Sequence, residues 1–412
     1  MLSLTLAGIC STATAFASDW PQFLGPTRNG VYAGTDLAEA WPKDGPPVVW
    51  QRKVGQGFSG PVVASGKVIL FDRVEDKETV ECMEGQTGKP VWSLSYPTAY
   101  RDDFGFDEGP RATPAIADGR VFTYGAEGML TCEDLATGRK LWSVDTKTEF
   151  HAPKGFFGIA CSPLVEGNAV LLIVGARNGY GIVAFNKTDG KVLWKTGDDE
   201  ASYSSPVAGT AGGGRCAFFL TRSALVATRP DDGKVLFQFP FRPPMRNSVT
   251  AATPLLVNDT VFLSASYGTG AALLQLTESA PRKLWASDEV LSNHYATSVY
   301  HDGFLYGIHG RTDPGFEPPA SLRCVELKTA KVVWEQTAFG AATLILAGNQ
   351  LLLLTERGEL IRAPASATAF KPNARAQILS SQVRAHPALA EGLFYARSKD
   401  RLVCVNLKKS AP

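Results

Sequence analysis

The sequence predicts an all-β fold, an eight-bladed β-propeller of four-stranded antiparallel blades, and three observations predict it. One phrase keeps returning: ECMEGQTGKPVW from residue 81, TCEDLATGRKLW from 131, VAFNKTDGKVLW from 183, VATRPDDGKVLF from 226 and RCVELKTAKVVW from 323. The aromatics that close it, Trp92, Trp142, Trp194, Phe237, Trp285 and Trp334, fall 50, 52, 43, 48 and 49 residues apart, and Trp50 precedes Trp92 by 42. Finally, each period holds several short apolar runs parted by Gly, Asp and Pro, the pattern of strands and tight turns. A period of 40–50 residues belongs to propellers and related arrays.

The elements of a period follow in order. The inner strand comes first, as in ATPAIA from 112, CSPLVE from 161, SSPVAG from 204 and ATPLLV from 252. A tight turn such as Asp118-Gly119, Asp302-Gly303 or Glu391-Gly392 leads to a second strand, as in RVFTYG from 120 or QLLLLTE from 350. The third strand carries the Leu-x-Cys/Ala element. A Thr-Gly or Asp-Gly turn then feeds a fourth strand that ends at the Trp. Inner strands near 60, 112, 160, 204, 251, 295, 341 and 385 make eight blades. The last repeat stops at its third strand, LVCVNLKK (402–409), while PPVVWQRKV (46–54) is a fourth strand with no blade before it. The two ends are expected to complete one blade, which closes the ring and leaves no open array edge. The domains expected are an export signal over 1–17, a lead-in over 18–45 and one propeller over 46–412.

The repeat also explains two residue types. Cys82, Cys132, Cys324 and Cys404 share a third-strand position that Ala184 and Ala227 fill elsewhere. Cys there acts as a small buried hydrophobe, since equivalent positions in different blades are too distant for a disulfide. Trp50, Trp92, Trp142, Trp194, Trp285 and Trp334 are expected to dock blade on blade, each indole N–H reaching a backbone acceptor.

Composition excludes several classes. Forty-one basic and 40 acidic residues leave a net charge of +1, so no basic excess points to nucleic acid or an anionic membrane. No run of about 18 apolar residues predicts a membrane span. The apolar LSLTLAGIC and the Ala-Phe-Ala at 15–17 read as a cleaved signal, giving an exported protein of the periplasm or cell surface. No Lys or Arg precedes that run, so the true start codon is open. Lipidation at Cys10 is not expected, because Ile9 stands where a lipid box needs a small residue. The chain has no C-x-x-C, no H-E-x-x-H among its five His and no G-x-S-x-G.

The phrases TCEDLATGRKLW and VAFNKTDGKVLW, with their siblings, resemble the repeat of the PQQ-like (pyrroloquinoline-quinone-type) β-propeller family over roughly 46–409. That family includes quinoprotein alcohol dehydrogenases and the assembly lipoprotein BamB. The resemblance implies the propeller fold and, in a loose BamB-like sense, a non-catalytic binding platform for an envelope protein or small ligand, expected as a monomer. Quinone with calcium belongs to the alternative, a quinone-dependent oxidoreductase. No cofactor is expected here, since no Cys-Cys pair and no Glu–Asn–Asp calcium set can be matched. A glycan-binding or glycan-processing propeller is a further alternative.

No catalytic residue and no metal site is assigned. The binding face is placed on the loops that cross between blades, because charged and aromatic residues interleave there. They carry Arg101, Asp102, Asp103 and Arg111 (96–111), His151 and Lys154 (148–158), Tyr203 (198–205), Arg246 (240–248), His294 and Tyr295 (291–298), and His309 and Arg311 (309–319). The opposite face is expected to hold short turns.

Overall fold

Each period folds as one antiparallel sheet. The structure is a computed structural model that describes residues 19–409, except 247, 278, 279, 314 and 381. The signal segment and Cys10 lie outside the described residues. Blade 2 shows the pattern: Ala115–Ala117, Arg120–Tyr124, Met129–Asp134 and Lys140–Asp145, from axis to rim. Its second and third strands are almost wholly buried, while the outer strand alternates. The cause is position. Middle strands lie between two neighbouring blades, and outer strands face solvent on one side.

Eight such sheets form the ring. Blade 8 takes Val48–Lys53 as its outer strand, paired with Arg401–Asn406 so that Trp50 stands opposite Cys404. The N-terminal strand thus closes the propeller. The inner turns are tight and left-handed, as at Asp118 (φ 50°) and Gly119 (φ 71°), the backbone that favours Asn, Asp and Gly.

Six indoles join the blades. Trp50 Nε1 donates to Gly85 O, Trp92 to Leu135 O, Trp142 to Lys187 O, Trp194 to Pro230 O, Trp285 to Leu327 O and Trp334 to Ser366 O, at 2.7–3.2 Å. Each acceptor lies in the next blade. The outer strand does not end at the Trp, as the spacing suggested: Trp142 is the third residue of Lys140–Asp145. Beyond it the strand continues with exposed and buried residues alternating, as Ser143 and Val144 do. A register shift directly before the aromatic recurs in seven blades, and such a bulge re-aims a side chain. The Cys and Ala of the third strand stand opposite these aromatics, as Cys132 does to Trp142 and Ala184 to Trp194. Cys82, Cys132, Cys161, Cys216, Cys324 and Cys404 are all free and buried.

Nearer the axis, a belt of hydroxyls links successive blades. The Gly60 N–H donates to Thr113 Oγ1 (3.1 Å), Thr113 N–H to Ser162 Oγ (2.9 Å) and Ser162 N–H to Ser205 Oγ (3.0 Å). On the far side Thr253 N–H donates to Thr297 Oγ1 (3.0 Å). The Ser/Thr-Pro dipeptides of the inner strands are therefore blade connectors, and the following proline holds each residue extended.

Residues 19–32 plug the axis. Trp20 exchanges both backbone hydrogen bonds with Val63 of blade 1, and Ile116 N–H of blade 2 donates to Pro21 O. The buried Arg28 guanidinium donates to Ser162 O (3.3 Å), Pro163 O and Pro206 O (2.8 Å) of blades 3 and 4. Val31–Tyr32 then pairs parallel with Ala342–Ala347, adding a fifth strand to blade 7. The Tyr32 hydroxyl accepts the Gly392 N–H of blade 8.

Candidate functional site

Above the plug, the inner-strand entrances of all eight blades wall one cavity of about 180 Å³. Phe23 of the plug, Phe58, Phe106, Phe157, Tyr203 and Tyr295 supply rings, and Arg111, Arg384, His294, His386, Asp313 and Thr343 supply polar groups. Trp20 and Phe23 pack on His386, with centroids 6.2 and 5.8 Å away.

The loop from blade 1 to blade 2 is built around Asp102. Its carboxylate accepts the backbone N–H of Phe104 (2.8 Å) and Asp107 (3.2 Å) and pairs with Arg111 at 2.6 Å. Arg111 is held there with its guanidinium 5.5 Å from the centroids of both Phe58 and Phe157. Desolvation raises the Tyr100 and Tyr203 hydroxyls well above and above their ordinary range, so both stay neutral; Tyr203 Oη accepts the Phe157 N–H (3.2 Å). Across the cavity Arg384 donates Nε to Glu356 (2.7 Å) and lies over Phe58 and Phe106 at 5.7 and 5.4 Å. Among the described residues nothing accepts from its two terminal nitrogens.

His294 is neutral. Burial pushes its pKa down to about 4, against a smaller upward pull from Asp313. Its Nδ1 accepts the Thr312 N–H (3.2 Å), which leaves the proton on Nε2, facing Tyr267 Oη at 2.9 Å. Asp313 pairs with Arg311 at 2.6 Å, and Arg311 lies between Tyr267 and Phe316, 4.4 and 4.3 Å from their centroids. Tyr295 Oη and Thr343 Oγ1 are buried with no hydrogen-bond partner among the described residues.

Of the residues singled out in the sequence, Arg111, Tyr203, His294 and Tyr295 line the cavity. Asp102 positions Arg111, and Arg311 reaches the wall only through Asp313. The others lie apart from it. Lys154 pairs with Asp103 (2.5 Å) on the outer rim, and Arg101 spans Asp76 and Glu108, each at 3.4 Å. His151 is the exposed left-handed cap of the short helix Thr146–Phe150. Arg246 is exposed, and His309 Nδ1 accepts the Ser292 N–H (3.0 Å) away from the cavity. Sequence reasoning missed Phe23, Phe58, Asp313, Thr343, Arg384 and His386 as wall residues. One signal could have found His386: His386-Pro387 occupies the repeat position of Thr113-Pro114 and Ser162-Pro163.

Calcium-bound quinone, the group the fold implies, meets a poor match. Asp313 is the single carboxylate of the described wall and is already paired. Among the described residues no group of three His, Cys, Asp or Glu could hold a metal ion.

A ring of PQQ-like repeats, closed by its own N-terminal strand around a blind axial cavity, defines the class. Within it, the family model described as outer membrane protein assembly factor BamB matches residues 76–336, and the chain belongs to that family. The quinoprotein alcohol dehydrogenase PedH of Pseudomonas putida is 28% identical over 196 residues, 43% of this chain and 30% of that protein. The chain thus matches less than a third of PedH's length. BamB of Yersinia pestis is 19% identical over 303 residues, 71% of this chain and 73% of that protein. The solved BamB of Moraxella catarrhalis superposes with a TM-score of 0.65 at 14% identity, covering 89% of this chain and 99% of that one. That level of identity carries the fold alone.

Proposed function

We propose that the protein is a non-catalytic, exported binding platform that presents its inter-blade-loop face to an envelope protein or small ligand. The observation that carries this reading is the contrast between the two ends of the axis. One is stoppered by residues 19–32. The other is an open cavity ringed by loops whose side chains already hold one another in place. Such pre-organisation reduces the entropy lost on binding. Membership of a family described as an outer membrane assembly factor supports an envelope setting.

The test is capture from an envelope extract by the wild-type chain and by a rim variant, Arg101→Glu with Lys154→Glu. Capture is expected to fall at least about tenfold, or 1.4 kcal/mol, while Lys140→Glu and Lys191→Glu on the opposite turns leave it unchanged. Loss with the turn variants and not the rim variant would place binding on the wrong face. PedH motivates the second reading. Incubation with pyrroloquinoline quinone and calcium is expected to leave no bound quinone after desalting. Stoichiometric retention, or dye-linked alcohol oxidation, would overturn the non-catalytic reading.

A further inference from the structure

We infer that the axial cavity is a site for one aromatic ring carrying a nearby carboxylate. The inference deepens the binding-face reading and rests on it. Size comes first. A dry cavity near 150 Å³ takes a benzene-sized guest, and this one measures about 180 Å³. It therefore seats one six-membered ring, and anything larger extends into the open groove beside it. The walls match such a ring. Phe23 closes the bottom, and Phe58, Phe106, Phe157 and Tyr203 surround the space, offering edges and faces for offset or perpendicular contacts.

The polar features then place the charge. Thr343 is 4% exposed and its Oγ1 has no partner among the described residues, as is true of the buried Tyr295 Oη. Both residues line the cavity, but these two oxygens have almost no accessible surface of their own, so a charged contact falls to the arginines. Arg111 is committed to Asp102, but Arg384 gives only its Nε to Glu356. Its two terminal nitrogens remain for a carboxylate, which a guanidinium binds through paired hydrogen bonds.

A second, open cavity of about 900 Å³ shares Phe58, Phe106 and Arg384 with the first and runs out over blade 7 past Phe339, Arg357 and Phe370. Blade 7 leaves this groove because its second hairpin turns tightly between Thr355 and Glu359 and its outer strand, Ala374–Gln377, has four residues. The carboxylate end of a guest thus meets a channel able to hold a longer molecule. Two sources share this chemistry: a free arylalkanoic acid and a peptide ending in an aromatic residue.

Isothermal titration of the purified full chain with 3-phenylpropanoate, its neutral amide and the tetrapeptide Ala-Ala-Ala-Phe tests the site. For so small a ligand, 3-phenylpropanoate is expected to bind with a dissociation constant of about 0.1–1 mM, and the amide at least about tenfold more weakly, the loss of one charge-assisted contact. Arg384→Gln is expected to abolish that preference. Ala251→Leu, which fills the cavity, is expected to abolish binding of all three. A tetrapeptide binding about tenfold tighter than the free acid assigns the site to peptide ends, since only a peptide occupies the groove; equal or weaker binding assigns it to small acids. No saturable binding of any probe overturns the inference, as does an unchanged preference in Arg384→Gln. If Ala251→Leu fails to fold, Arg384→Gln decides alone. Arg101 and Lys154 lie outside this cavity, so rim-dependent capture and probe binding can fail independently.

Discussion

Glu133 is buried in the third strand of blade 2, with Thr131 nearby but no well-formed hydrogen bond to either carboxylate oxygen among the described residues. Burial raises its pKa from 4.5 to about 7. The folded chain therefore holds this proton more tightly than the unfolded chain. The associated stability is full below about pH 4.5 and is lost as pH rises to 7. Glu133→Gln should stabilise the protein by about 2–3 kcal/mol at pH 8 and by much less at pH 4.5. Melts at the two pH values check this, and equal shifts at both would refute it. The histidines act with the opposite sign. Burial lowers His294, His309 and His386 from 6.5 to about 4. Their folded forms resist protonation, so stability falls as pH drops from about 6.5 towards 4. His386 has Pro387 O and Leu344 O at 2.9 and 3.1 Å from its two nitrogens, yet a neutral ring donates to only one. The residue scale was the least legible in the sequence. Arg111 and His294 stood out as polar loop residues, but in AHPALA only the repeat position before Pro387 marks His386, and nothing there announces the tryptophan that stacks on it.

At the scale of the element, the repeat phrase is one docking device divided between two blades. The Gly of each Thr-Gly or Asp-Gly turn lies under the Trp of the preceding blade. A Cβ on Gly138 (φ 71°) would stand 2.5 Å from the Trp92 indole, and one on Gly190 (φ 73°) 2.6 Å from Trp142. Gly138→Ala should therefore cost about 2–4 kcal/mol, from left-handed strain plus a displaced ring. Blade 6 supplies the contrast. Its turn already carries Ala330 at φ 61°, which packs against the same core cluster as Trp285. There Ala330→Gly should be neutral or stabilising by up to about 1 kcal/mol. Denaturant titration of both variants checks the pair, and a Gly138→Ala chain as stable as wild type would sink the argument. The phrase was legible because it recurs. Its division between neighbours was not, because Gly138 and Trp92 are joined only once the blades stack.

The whole molecule is closed twice by its N-terminal region, at the rim by Val48–Lys53 and at the axis by residues 19–32. Deleting 18–54 should lower thermal stability sharply and promote aggregation through the bare edge at Arg401–Asn406. A truncated chain that melts like wild type would refute the closure. The two closures separate by single substitution. Desolvation lowers the Arg28 pKa to about 9, which keeps it protonated at neutral pH. Arg28→Met strands three carbonyls of blades 3 and 4 and should cost about 2–4 kcal/mol. Faster hydrogen exchange at Val63 and Ile116, whose amides bond to Trp20 and Pro21, should accompany it without loss of the outer strand.

What the sequence alone determined is everything that repeats: eight blades, the shared closing blade, the docking tryptophans and the small third-strand position where Cys and Ala alternate. Repetition makes these visible, since one physical requirement is met again every 40–50 residues. The tertiary structure alone decided what occurs once. The plug could not be read from DWPQFLGPTRNGVY, because Arg28 finds Pro206 across 178 residues of chain. The cavity could not be read either, because each blade contributes one to four residues to it and most of them lie outside the repeat phrase. Only closure of the ring brings Phe58, Arg111, His294 and Arg384 around a single axis.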